Sequence, residues 1–267
     1  MPRVKPNLVS FWHGGPLHEI QRMCLAAQVK LGFISTLYSY EPIQGLPAGF
    51  ANEDAAVILP SGFLDRLRPV ARGTPGHRAV LHFSDFFRMR LQRMSRGLWL
   101  DTDVYLLRAF QIDPDRPFFA WESDRFIGNA VLYLPAAHRM VADFEVLATA
   151  KDLLPDWLPI RLRARRLWWK LIGRKHGPQD LSTIMYGPMA LTRLARPHRC
   201  TDAALSRESF YKFARTNGFF ERTDVEAILA DPEVVGIHIQ RKARWAETPV
   251  PGSMHEWAVR NGAGSCG

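Results

Sequence analysis

"LWLDTDV", residues 98–104, ends a run of large apolar side chains on two carboxylates, Asp101 and Asp103. The apolar part predicts a buried strand. Side chains two apart on a strand point the same way, so Asp101 and Asp103 project together and Thr102 faces opposite. Two carboxylates this close repel each other, and a bound cation removes that cost. Carboxylate oxygens suit hard ions such as Mg2+ or Mn2+. At the carboxyl end of a strand in an α/β sheet the pair lies where ligands bind. There an ion can bridge a diphosphate and neutralise the charge that develops on it as it leaves. Taken alone, Asp-x-Asp reads equally well as a solvated turn.

Working outward, "FSDFFRMRLQRMSRG" (83–97) predicts a helix with Ser84 as N-cap and Gly97 as its stop. Phe87, Leu91 and Met94 then face the core, while Asp85 and Arg88, three apart, share another face. Upstream, residues 7–12 and 33–40 predict strands around a helix over 17–30, and "AAVILP" (55–60) a short buried strand. Downstream, 118–123, 129–135 and 234–239 predict strands and 138–151 a helix. This alternation predicts an α/β class, a mainly parallel sheet flanked by helices. With no internal repeat or linker, residues 1–267 read as one domain. The tail "NGAGSCG" reads as irregular.

At 267 residues and 47% hydrophobic, the chain is long enough to bury a large core. Its 35 Lys and Arg against 26 Asp and Glu give a net charge of +9. That balance favours an anionic partner: nucleic acid, a membrane surface or a phosphorylated small molecule. The cysteines, Cys24, Cys200 and Cys266, are widely spaced, with neither a zinc pattern nor a disulfide framework, and predict a reducing cytoplasm. No apolar run approaches the ~18 residues of a membrane span, and the start lacks a signal-peptide pattern.

The spaced set Ser84, Asp85, Arg88, Gly97, Trp99, Asp101 and Asp103 resembles glycosyltransferases with a sugar-binding region containing a DXD motif. These are the family 32 enzymes and, more distantly, the catalytic domains of the large clostridial glucosylating toxins. Arg96 stands where the family pattern has the first of two glycines. "SFWHGG" (10–15) is similar to the family's opening strand, and the similarity runs over residues 7–135, thinning to 186–194 and 236–245.

The resemblance implies a GT-A, Rossmann-like nucleotide-sugar-binding domain. Its donor and metal half would cover about residues 7–135, with acceptor-side and closing elements over about 136–260. It implies a metal-dependent, retaining transfer of a hexose or N-acetylhexosamine from a UDP-sugar to an acceptor hydroxyl, in polysaccharide or glycolipid biosynthesis. The acceptor would be a saccharide or a lipid-linked saccharide, and the cofactor Mn2+ or Mg2+. Asp103 would hold the metal and Asp101 the ribose or sugar side, the two roles being shareable. Trp12 would stack on the uracil; its other reading is a core aromatic. Asp85 and Arg88 would hold sugar hydroxyls, or form an ordinary surface ion pair.

The resemblance extends donor binding to Asn129 and Trp245. His238 reads as a third metal ligand or as a packed strand histidine. Relatives carry His-x-Trp there, and Gln240 takes the place of that Trp. Arg241, Lys242 and Trp245 would close over the phosphates, or form a solvated basic loop. Glu122 is the nearest acid for a nucleophile or acceptor contact.

Two rival classes use some of the same residues. A Mg2+-dependent nucleotidyltransferase would employ the carboxylate pair. A basic nucleic-acid-binding module would employ the charge and the aromatics, but none of its usual signatures is present, so no nucleic-acid partner is expected. Residues 160–175, "IRLRARRLWWKLIGRK", hold seven basic residues, no acid and a Trp pair. They read as a peripheral contact with an anionic membrane, on its cytoplasmic face, or as a basic helix packed by its tryptophans. Arg161, Arg165, Trp168 and Ile172 fall on one side of the wheel, which predicts no clean apolar face.

Overall fold

The computed structural model describes residues 2–68, 76–151, 153–155, 157–177 and 180–262. Five strands form the main sheet in the order β3 (Phe50–Asp54), β2 (Ser35–Ser39), β1 (Leu8–Phe11), β4 (Leu98–Leu100), β6 (Val131–Leu132). The first four are parallel and β6 pairs antiparallel with β4, so the chain has the mainly parallel α/β architecture that the alternation predicts.

β1 and β4 are buried throughout, as strands covered on both faces must be. Alternate residues divide between the two faces. Val9, Phe11 and Trp99 join the cluster around Phe83 and Phe87 of α2 (His77–Arg93) and Phe144 of α3 (Arg139–Thr149). Leu8, Leu98 and Leu100 join another cluster with Val104, Phe210 and Tyr211. Phe11 stacks on Phe87 with 4.4 Å between ring centroids, seating α2 on the sheet. The buried hydroxyl of Ser10 donates to the Leu100 carbonyl at 2.6 Å, so the one polar side chain of β1 is satisfied within the sheet.

On the other side lies α1 (Glu19–Lys30), packed with α8 (Met254–Gly262) through Ile20, Met23, Cys24 and Met254. A second, two-stranded sheet pairs β5 (Val104–Leu106) antiparallel with β7 (Gly236–His238). Four further helices complete the description: α4 (Ile160–Leu171), α5 (Pro188–Ala195), α6 (Glu208–Tyr211) and α7 (Val225–Ala230). No helix among the described residues is long and apolar enough to cross a membrane.

Several sequence expectations change. Residues 98–104 are not one strand: the chain turns after Leu100, closed by the Val104 N–H donating to the Asp101 carbonyl at 3.1 Å. "AAVILP" opens with a 3-10 turn over Ala55–Val57, because the Asp54 carboxylate caps the Ala56 N–H at 2.8 Å, and the strand is the polar stretch before it. The edge strand β3 gains from its Asn52 amide, which donates to the Leu37 carbonyl at 2.9 Å. Helix α2 begins seven residues before Ser84, whose hydroxyl sits mid-helix and accepts from Arg88 at 3.0 Å. Met94 lies at the α2 C-cap and is exposed rather than core-facing. Residues 118–123 make isolated bridges at Phe118, Ala120 and Trp121 in place of a strand. Cys24 and Cys200 are free and buried; Cys266 and residues 263–267 of the tail lie outside the described residues, while Asn261 and Gly262 end α8.

Gly97 joins α2 to β4 with φ +134°, and a Cβ there would meet the Asn7 carbonyl oxygen at 2.5 Å. Gly97→Ala therefore strains the backbone and pushes β4 from β1. A loss of about 1–3 kcal/mol is expected, read as a lower urea midpoint at unchanged slope.

Candidate active site

The turn between β4 and β5 is where the site is built. Asp101 N–H donates to the Ala130 carbonyl at 2.8 Å, and Ile239 N–H donates to the Asp103 carbonyl at 2.9 Å. The turn is thus pinned from both sides. α1 pins it a third way: Gln21 accepts from the His18 N–H at 2.9 Å and donates to the Thr102 hydroxyl at 3.1 Å. Antiparallel pairing places His238 opposite Val104, which carries the imidazole to the carboxylates.

His238 Nε2 lies 3.3 Å from Asp103 Oδ1 and 4.0 Å from Asp101 Oδ2. The two acids converge although the strand argument that predicted it does not apply, since a tight turn and not an extended segment brings them together. One ligand atom from each of Asp101, Asp103 and His238 falls within 4.8 Å of the others. Two carboxylates and an imidazole are a donor set that fits a divalent ion such as Mn2+.

The two acids differ. Asp101 Oδ1 accepts from Trp99 Nε1 at 2.6 Å and faces Arg88 Nη1 at 3.4 Å, leaving Oδ2 toward His238. Burial raises its pKa and the Arg88 guanidinium opposes that, but with Asp103 adding repulsion the net direction is upward. Asp103 is buried too, yet His238 and then Lys242, whose Nζ is 3.8 Å away, hold its carboxyl below the usual range. Burial disfavours the imidazolium of His238, but Asp103, Asp101 and Glu122 outweigh it and the pKa rises. The repulsion between the acids is therefore borne by Asp101, and Asp103 pairs with His238.

Behind the acids sits a continuous network. Arg88 lies over the Trp99 ring, 4.6 Å from its centroid, donates to Ser84 O at 3.2 Å and to the Asn129 carbonyl. Asn129 in turn donates to Asp85 Oδ1 at 2.7 Å. Asp85 and Arg88 are thus buried rather than a solvated surface pair, and Gly187 packs against both Asn129 and Asp85 so closely that a Cβ would lie 2.4 Å from Asn129 Nδ2. Glu122 Oε1 accepts from Gln240 Nε2 at 2.9 Å, and the same amide lies 3.4 Å from His238 Nδ1. Gln240 links Glu122 to the imidazole.

Trp12 and Trp245 stand at the flanks. Trp12 follows β1, so it lies at the carboxyl edge of the sheet as Asp101 does; it is partly buried against Leu17, Leu25 and Leu37, and its Nε1 donates to Gly15 O at 2.9 Å. Trp245 is buried, its ring 5.3 Å from that of His18 and 5.4 Å from Lys242 Nζ, and its Nε1 has no hydrogen-bond partner among the described residues. Arg241 is spent on the loop itself, donating to the Arg215 carbonyl and to Thr216 O at 3.4 Å, so Lys242 is the cation this loop turns toward Asp103.

Sequence reading missed Gln21, Thr102 and Tyr211. Tyr211 OH accepts from the Ala130 N–H at 3.0 Å and its ring meets His238 edge-on at 5.5 Å. A tyrosine in a short helix more than a hundred residues away carries no local signal of such a role.

No protein-family model and no curated protein matches this chain. Among solved structures it is similar to one described as PaToxG Glycosyltransferase, with 12% identity, a TM-score of 0.44, and coverage of 76% of this chain and 88% of that one. A likeness this loose leaves the functional reading to the site itself.

The charge asymmetry makes the two acids respond differently to loss of a carboxylate. Without metal, Asp101→Asn holds or raises stability, because Asn still accepts from Trp99 while a disfavoured charge is gone. Asp103→Asn lowers it by breaking the buried pair with His238. Thermal melts of the two variants with a chelator at neutral pH check the order. For His238 the folded pKa is raised, so its contribution to metal-free stability is full below the unfolded value of about 6.5 and is lost as pH rises through the folded one. Because Mn2+ competes with the proton, its affinity falls on acidification from a higher pH than for a free imidazole. Calorimetric Mn2+ titrations across that range read it.

Proposed function

We propose that the chain is a metal-dependent GT-A glycosyltransferase, folded as one domain, that moves a hexose or N-acetylhexosamine from a UDP-sugar to an acceptor hydroxyl with retention. The observation that carries this reading is the convergence of Asp101, Asp103 and His238 at the carboxyl end of β4, an interior strand of the main sheet. The motif residues Ser84, Asp85 and Arg88 line up behind it in one hydrogen-bonded network.

Asp101, Asp103 and His238 would hold a divalent ion, which when bound would supply neutralisation of charge on the departing diphosphate. The protein's own groups do the rest. Trp12 offers a ring for the uracil at the carboxyl edge of the sheet, and Lys242 adds an exposed positive charge beside Asp103. Asp85, Asn129 and Arg88 hold acceptors and donors in a fixed array, the pattern that sorts sugar hydroxyls. The array is pre-organised, because each member is already bonded to the next, so little ordering cost remains on binding. Glu122, tied through Gln240 to His238, would be the nucleophile or the acceptor contact. The product would belong to polysaccharide or glycolipid biosynthesis.

UDP release measured across a panel of UDP-sugars with Mn2+ should show one strongly preferred donor, and chelation should abolish the activity. Release from none of them, with nucleotide incorporation from nucleoside triphosphates instead, would assign the acids to nucleotidyl transfer. Trp12→Ala should raise KM for the donor roughly tenfold or more, since base stacking is worth about 1–3 kcal/mol, while the protein stays folded. Loss of folded protein would return Trp12 to the core.

A further inference from the structure

Helix α4 touches the core along one narrow line, through Leu162 and Trp169, two turns apart. At about 100° per residue, Ile160, Leu167 and Leu171 fall together on the opposite side, with Trp168 beside them. These four are 85%, 60%, 76% and 56% exposed, and Ile172, on the flank with Trp168, is exposed as well. The helix therefore has a solvent-facing apolar stripe after all. The side shared by Arg161, Arg165, Trp168 and Ile172 is its border. Five of the thirteen large apolar side chains left exposed among the described residues sit between positions 160 and 172. A contiguous apolar patch of this kind marks a contact surface.

Charge decides what the contact is. Residues 160–175 hold seven cations and no acid. Some cations work inside the fold: Arg163 donates to Leu158 O at 2.8 Å, Arg165 to Leu181 O at 2.5 Å, and Arg174 lies over the Trp169 ring. Arg161, Lys170 and Lys175 are exposed and make no ion pair or hydrogen bond among the described residues. A second copy of the chain would bring the same cations face to face. Between that border and the core a cavity of about 500 Å³ is lined by Arg125, Arg161 and Arg165 over apolar Phe126, Leu162 and Ile184, a recess whose chemistry suits an anionic headgroup.

We propose that α4 docks the protein on an anionic lipid bilayer. The helix lies in the plane of the surface, with Ile160, Leu167 and Leu171 at the acyl boundary, Trp168 at the interface and Arg161, Lys170 and Lys175 against the headgroups. The docked helix reaches the site through one segment, since Leu181 holds Arg165 and Gly187 presses on Asp85 and Asn129. The proposal rests on α4 and its surroundings and is independent of which reaction the site performs.

Co-sedimentation of the full chain with phosphatidylcholine vesicles, with and without phosphatidylglycerol, tests it. Binding is expected only to the mixed vesicles and is released by raised salt. Leu167→Glu with Leu171→Glu should lower partitioning roughly tenfold or more. Arg161→Gln with Lys170→Gln and Lys175→Gln should remove its salt dependence. All of these side chains are exposed, so melting temperatures should not move. Equal binding to both vesicles, binding to neither, or vesicle binding unchanged in both sets of variants overturns the proposal. So does a dimer in solution that the Leu167 and Leu171 changes disperse.

Discussion

Two carboxylates in a single turn, Asp103 buried and Asp101 partly so, are expensive, and much of the chain around β4 answers that expense. Burying a charge costs several kcal/mol unless it is paired and hydrogen-bonded. Arg88 and the Trp99 indole answer for Asp101, His238 and Lys242 for Asp103. The partners come from α2, β4, β7 and the loop after it, so distant parts of the sequence are fixed to one another through this turn. The compensation is incomplete on one side, since Asp101 stays harder to ionise than an ordinary aspartate. A site left in that condition favours a cation.

The same economy explains the second ring of residues. Arg88 cannot serve Asp101 unless its own position is fixed, and Ser84, Asn129 and the Trp99 face fix it. Asn129 depends on Asp85, and both depend on Gly187 staying small. Gln240 holds Glu122 and touches the imidazole, while Gln21 ties the N-terminal end of α1 to Thr102. None of these groups is exceptional alone; their value lies in shared partners, where polar networks gain from being fully satisfied.

How much of this was legible follows from the range of each signal. Strands β1 and β2, helix α1 and β4 were readable because apolar patterning is local and their caps and stops are adjacent in sequence. The convergence of Asp101 and Asp103 was legible for a reason that turned out incomplete: spacing of two suggested a strand, and the chain makes a turn. The boundary errors have physical causes. Ser84 looked like a cap because serine before an apolar run usually is one, whereas here its hydroxyl serves Arg88. Asp54 capped a 3-10 turn where an apolar run suggested a strand. The roles of Tyr211 and Gln240 were beyond reach, because both meet the His238 imidazole, which a β5–β7 pairing spanning more than a hundred residues brings to the turn. The exposed stripe of α4 was masked by its border residues, and only the identity of the buried pair, Leu162 and Trp169, sets the phase of the wheel.

The account turns on Asp101, Asp103 and His238 holding a divalent ion together with a diphosphate. Calorimetric titration of UDP into the protein, with Mn2+ and then with a chelator, tests that most directly. The account predicts tight UDP binding with Mn2+, little or none without it, and no Mn2+ enhancement in Asp103→Asn. UDP affinity that is the same in chelator as in Mn2+ would contradict it.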